Sequence, residues 1–460
     1  MKTNRREFFK RSAAAGALAA IPYSLAQAKR MTHKEDNRPT VAAIGVGGVR
    51  GAFSRGSEIG FQASKLGRMI AVCDVDVVNA ANFSSKFNNK LAMYSDYREL
   101  LERERPQIVT IGTPDHWHVP IAISALRAGC DVYCEKPLTL TLDENFRIRK
   151  EAEKSGRVFQ VGTQQRSLEM PMFVQAIAIV KSGRLGKKVN AHVAIGGSPT
   201  GGPFPATKPP EGLNWDMWVG GAQPSDYSEE RRKEFRWFFD YSGGKMTDWG
   251  AHHIDIAQWG LGHDHSGPVR VSAKGKFGTV VPEHFNWLDY FASKAKLKNG
   301  YQTATKFDIN LEYADGSYIH VCDEYTSPDG KTKFGNGILF EGEDGRIFVD
   351  RGDLKGKPVE EMTKADKVKL HEAVVKLNRG KEPTYHMQNF FDCVASRDTP
   401  ISDVKTHVRT MTCCHLCNIG LMLGRDLHWD PEKEQFVDDE EATKYMSRRR
   451  REKYSWKATT

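Results

Sequence analysis

No stretch of this 460-residue chain is apolar over the roughly twenty residues a bilayer core requires. The longest candidate, residues 13–21, is nine residues of mostly alanine, which argues against an uncut anchor and against stable membrane insertion. A strong charge of one sign is missing too. Of the formal +9, Lys2, Arg5, Arg6, Lys10 and Arg11 against Glu7 account for much, and the rest is spread too thinly to expect nucleic acid. The one dense basic run, Arg448, Arg449, Arg450 and Arg451, reads as a solvated or interface-lining tail. A full four-ligand set for a structural zinc is missing. Cys413, Cys414, His415 and Cys417 crowd together, but they lie in a helical pattern over 406–423 without a second ligand pair, so a core helix is expected rather than a metal. Cys73, Cys130 and Cys134 fall in or beside apolar strand-like runs, where a thiol packs as a small hydrophobe. No internal repeat is present.

What is there begins with Asn4, Arg5, Arg6, Glu7, Phe8, Phe9 and Lys10, followed by the short apolar run and Ala26-Gln27-Ala28. This reads as a twin-arginine signal peptide over 1–28, cleaved after Ala28, and implies a periplasmic protein. Residues 29–38 read as a polar arm. From 39 to 160, β-branched runs at 41–44, 71–73, 108–112 and 131–134 alternate with helix-like segments, which predicts a doubly wound parallel sheet of Rossmann type. From 161 to 430, short extended runs near 187–195, 269–277, 303–311, 317–322, 337–340 and 346–349 predict a second, α+β domain. Its sheet is expected to be open and largely antiparallel. A Gly/Pro-rich insertion at 196–212 and an aromatic segment at 213–218 are placed to shape a cleft. Residues 431–460 read as a C-terminal tail.

The first strand runs into Gly45, Gly47 and Gly48, glycines that let backbone approach a pyrophosphate at a helix N-terminus. The third glycine is displaced by one, to Gly51, with Arg50 in its expected place. Asp74, at the end of the second strand, is placed to accept from ribose hydroxyls and to repel a 2′-phosphate, favouring NAD over NADP. The long spacing from Gly45 to Asp74 implies an enlarged first loop or helix.

These motifs, with Thr113-Pro114-Asp115-His116-Trp117-His118 and Glu135-Lys136-Pro137, resemble the glucose–fructose oxidoreductase and inositol dehydrogenase family, Gfo/Idh/MocA. The resemblance implies that Thr113, Pro114, His118, Glu135 and Gln164 border the nicotinamide half of the dinucleotide. It also implies that Pro137 follows a cis peptide, and that Lys136 works with Asp248 and His252. The last two are four residues apart, so one helix would place them on one face. His252 is the expected general acid/base, Lys136 the group that holds the alcohol oxygen, and Asp248 an anchor for a hydroxyl or for the imidazole. Arg166, Trp237, His253 and Tyr385 are weaker candidates for lining a carbohydrate site. Three functions stay open: a sugar, glycoside or cyclitol dehydrogenase with retained NAD; a redox-neutral NAD-dependent glycosidase or epimerase; and a non-catalytic sugar-binding protein. A homodimer or tetramer paired through the open sheet is expected.

Overall fold

In the computed structural model, which describes residues 36–48 and 54–459, the β-branched runs become six short strands. They are β1 (Thr40–Ile44), β2 (Arg68–Cys73), β3 (Ala92–Tyr94), β4 (Ile108–Ile111), β5 (Asp131–Cys134) and β6 (Phe159–Val161). All pair in parallel, in the order β3-β2-β1-β4-β5-β6. The central strands are buried on both faces, as continuous apolar runs require. Helix starts are set by side-chain caps: Asp76 accepts from the Val78 amide, Asp96 from Arg98 and Thr141 from Glu144. The predicted signal peptide, most of the arm, and Arg50 and Gly51 lie outside the described residues. Of the unit Met1–Arg38, only 36–38 are described; residues Pro39–Thr460 form one unit.

The enlarged first turn has a physical reason. The first helix starts only at Arg55 (Arg55–Leu66), capped by Ser54. Three glycines then meet behind the turn. Gly45 has φ +75°, and a methyl group there would lie 2.5 Å from Thr113 Cγ2; one on Gly56 would lie 1.8 Å from the Gly45 carbonyl oxygen, and one on Gly112 2.4 Å from Gly56 Cα. Gly56, not Gly51, brings the helix onto the strands.

The second sheet has nine strands, ordered Leu354–Lys355, Gly345–Val349, Gly337–Gly342, Val189–Ala194, Tyr318–Cys322, Lys306–Glu312, Arg270–Lys276, Leu427–Asp430 and Gln435–Phe436. Only Val189–Ala194 and Tyr318–Cys322 run parallel. Phe307, Ile309 and Leu311 are buried while Asp308, Asn310 and Glu312 face outward, the alternation of a sheet covered on one side. Helices Pro171–Lys181, Gly250–Leu261 and Val404–Leu423 supply that cover. The last contains Cys413, Cys414, His415 and Cys417, all buried, with His415 at 3.0 Å from Thr139 Oγ1.

The C-terminal segment is not a tail. Strands Leu427–Asp430 and Gln435–Phe436 extend the sheet, and the remainder folds back over the first domain. There Tyr97 Oη donates to the Thr459 carbonyl at 2.6 Å. The arginine run is pinned rather than solvated. Arg448 donates to the Phe239 carbonyl, Arg450 stacks on Trp456 at 4.4 Å, and Arg451 pairs with Asp216.

Gly56→Ala is expected to destabilise the fold by about 3 kcal/mol or more, because the obstacle is backbone. Gly48→Ala, with nothing within 4 Å of its added methyl, is expected to stay within about 0.5 kcal/mol of the parent. Urea denaturation of both variants checks the pair; equal midpoints would contradict the packing account.

Candidate active site

The carboxyl ends of β1, β4 and β5 open onto one crevice at the point where the strand order reverses, the position at which open α/β sheets bind ligands. Two recesses meet there and share Gly47, Thr113, Pro114 and Trp218. The first is mainly apolar and is bounded by Asp74, Ser95, Tyr97 and Met217. The second, of about 370 Å³, runs past Arg55, Glu135, Lys136 and Arg236. A dinucleotide needs such a pair, with a tight glycine turn and a helix start between them. The turn at Gly45, the open space beside Gly48 and the buried, unpartnered Thr113 hydroxyl fit that group.

Asp74 holds the turn. Its carboxylate accepts from the Val46 and Gly47 amides, both at 3.0 Å, and from the Asp76 amide at 2.9 Å. Burial outweighs these bonds and raises its pKa to about 6. It borders the first recess while serving as the loop's backbone anchor. His118 likewise acts on backbone, as its ring nitrogens lie 2.7 Å from the Pro137 carbonyl and 2.9 Å from that of Thr113. It ties the two loops together rather than presenting a free nitrogen to the crevice. Glu135 accepts from Arg55 Nε at 2.9 Å and from Gln164 Nε2 at 3.2 Å.

The Lys136–Pro137 peptide is cis. Lys136 Nζ donates to Asp248 Oδ1 at 2.6 Å and to the Asp248 carbonyl at 3.0 Å. Burial alone would raise the Asp248 pKa, but Lys136 and Arg236 outweigh it and hold the carboxyl well below its ordinary range. The single helix expected through Asp248 and His252 is broken: one turn ends at Asp248 (Lys245–Asp248) and the next helix starts at Gly250 (Gly250–Leu261). The break frees Asp248 to pair with Lys136 and Arg236, and it does not hold the imidazole. His252 Nδ1 is buried without a partner. Burial first, then the charges of Lys136 and Arg351, lowers the His252 pKa well below its ordinary value.

The weaker sequence candidates divide differently. Arg166 is a core residue: it pairs with Asp255 at 2.7 and 2.9 Å and with Asp264 at 2.9 Å, and it stacks on Trp259. Its Nε and Nη2 donors are taken by these two acids. His253 is fully buried between Asn336 and Gln165, and burial lowers its pKa to about 4. Tyr385 is 63% exposed and does not border the crevice. Trp237 is buried and gives its indole N–H to Glu234. Absent from the sequence candidates are Arg55, Arg232, Arg236, Lys245 and Arg351. Arg232 donates to the Gly48 carbonyl and to Asp76, both at 2.7 Å, and so clamps the glycine turn from the second domain. The aromatic segment does shape the crevice: Trp218 stacks on Trp215 at 4.6 Å, and its carbonyl meets His116 Nε2 at 2.9 Å.

Comparison with known proteins decides the family. The model of the GFO_IDH_MocA oxidoreductase family, NAD-binding Rossmann fold, matches residues 40–163, and that of its C-terminal alpha/beta domain matches 202–280 and 298–456. The chain belongs to this family. Inositol 2-dehydrogenase from Salmonella typhimurium is 30% identical over 125 residues, which cover 27% of this chain and 37% of that protein. A glycosyl hydrolase family 109 protein from Shewanella pealeana is 34% identical over 176 residues, 34% of this chain and 38% of that one. The chain thus spans well under half the length of these curated relatives. In fold, it is similar to the WlbA dehydrogenase from Bordetella pertussis, solved with NADH and UDP-GlcNAcA. The TM-score is 0.55 at 14% identity, over 85% of this chain and 99% of that one. The GFO_IDH_MocA Rossmann domain of this chain is therefore an NAD-binding one.

Arg166→Met leaves Asp255 and Asp264 without their cation in the core, a loss expected to cost about 3–5 kcal/mol. Chemical denaturation checks this. A fully stable variant with weakened sugar binding would return Arg166 to the cleft.

Proposed function

We propose that the protein is an NAD-dependent oxidoreductase acting on a secondary alcohol of a sugar, glycoside or cyclitol. The observation that carries the reading is the Lys136–Asp248 pair at the end of β5, with Lys136 lining the crevice and the buried His252, its Nδ1 unpartnered, on the helix that follows Asp248. Thr113, Pro114, Arg55 and Glu135 would border the nicotinamide half, and Asp74 and Tyr97 the adenosine half. NAD, when bound, supplies the hydride acceptor that no side chain offers. Asp74 favours NAD over NADP by placing a carboxylate where a 2′-phosphate would have to sit.

The alcohol must lose its hydroxyl proton as its carbon is oxidised. Lys136 holds the oxygen and stabilises developing negative charge there. Asp248 fixes the ammonium in place. His252, kept neutral, has a ring nitrogen to accept the proton. The protein is further proposed to be exported through the twin-arginine route and to keep its cofactor through turnover, so that the hydride returns to a second sugar. Pairing into a dimer or tetramer through the open sheet face belongs to the same reading. A second reading, a redox-neutral NAD-dependent glycosidase, is supported by the likeness to the Shewanella pealeana protein.

Sugars and glycosides added to the purified NAD-bound protein are expected to produce reduced-nicotinamide absorbance. Aglycone release without net reduction would favour the glycosidase, and neither signal would sink both readings. Lys136→Ala is expected to abolish the absorbance change while NAD still binds, as separate binding and turnover measurements on the variant would record. The depressed His252 pKa also sets the pH profile. Burial and the neighbouring cations favour the neutral imidazole, so the acid limb of kcat/KM is expected below the ordinary histidine value of about 6.5. A limb near 6.5 that disappears in His252→Gln would contradict this.

A further inference from the structure

Around Asp248 stand more cations than the acids can match. Lys136 and Arg236 share Asp248, and Arg55 is matched by Glu135. Asp115, beside Arg236, is tied to Ser242, and Glu234 accepts from Trp237. Two cations remain without a carboxylate within 4.0 Å among the described residues, Lys245 and Arg351. They share one aromatic neighbour: the Arg351 guanidinium lies 4.5 Å from the Trp249 ring centre and the Lys245 ammonium 6.0 Å from it. Trp249 sits at the helix break between Asp248 and His252, with its ring 6.0 Å from the imidazole. Arg351 makes no hydrogen bond among the described residues, and its buried Nε–H finds no acceptor. A guanidinium set beside an indole, with a buried N–H left without an acceptor, is costly unless an occupant supplies one.

We propose that the substrate of this site is an anionic sugar derivative, whose carboxylate or phosphate is bound by Arg351 and Lys245 beside Trp249. The planar guanidinium offers two parallel N–H donors to two oxygens of one group, a match that a neutral hydroxyl lacks. Lys245 adds a second positive charge near the same indole. The sugar ring is then positioned by its charged end, leaving a ring hydroxyl for Lys136. The inference rests on the crevice being the substrate site, as argued above.

Calorimetric titration of the purified full-length chain with glucuronate, glucose 6-phosphate and glucose, at fixed ionic strength, tests it. At least one anion is expected to bind roughly tenfold or more tightly than glucose, as a charge-assisted contact should give. Arg351→Met is expected to bring that affinity down to the level of glucose measured on the same variant, and Arg351→Lys to fall between. Lys245→Met provides the same readout should Arg351→Met fail to fold. A preference confined to glucuronate identifies a sugar acid, and one confined to glucose 6-phosphate a phosphosugar. Equal binding of all three, no binding of either anion, or a preference that survives both Met variants overturns the proposal. If the preference holds but no anion reduces NAD, the oxidoreductase reading fails and this inference stands. If neutral sugars reduce NAD as well as anionic ones and Arg351→Met changes neither, the reverse is true.

Discussion

The ion pair between Lys136 and Asp248 is the constraint on which the site depends. One partner comes from the loop after β5 and the other from the turn before helix Gly250–Leu261, 112 residues later. Both side chains are mostly buried, at 15% and 14% exposure. Partners so withdrawn from water are poorly tolerated singly, since an uncompensated charge there costs several kcal/mol. The pair therefore holds the two halves of the crevice in one register. His118, bonded to Thr113 and Pro137, and Arg232, bonded to Gly48 and Asp76, hold the surrounding loops in the same way.

From that pair the electrostatics follow. Asp248 is kept ionised by Lys136 and Arg236, so the local field is set by cations. Burial and such a field lower the His252 pKa and favour the neutral imidazole, the form that takes a proton. The same excess of cations leaves Arg351 and Lys245 without counter-charge. One imbalance thus prepares the base and leaves room for an anion.

Much of the fold was legible because it is written locally. β-branched runs between glycine turns mark the strands, and alternation marks the covered face of the second sheet. The helix Lys364–Leu377 was not legible, since it buries no residue fully and its thin stripe of Leu370, Val374 and Leu377 is only partly covered by the core. Gly56 was missed because the long loop moves the close-packing glycine past the motif's usual spacing. The arginine run looked like a tail because its partners Phe239 and Asp216 lie more than two hundred residues away. Within the site, Lys136 pairs with Asp248, and His252 stands on the next helix, its ring 6.0 Å from that of Trp249. Arg166 and Tyr385 do not join them, and Arg55, Arg232 and Arg351 do, since only the tertiary fold decides which long cation faces which acid.

The central claim is that the crevice is a dinucleotide site whose reactive end is the Lys136–Asp248–His252 cluster. A crystal structure of the protein with NAD tests it most directly. The account predicts the nicotinamide ring beside Lys136 and His252, and the adenine in the recess of Asp74, Tyr97 and Met217. A dinucleotide bound in the reverse sense, or outside the crevice with the Lys136–Asp248 pair untouched, would contradict it.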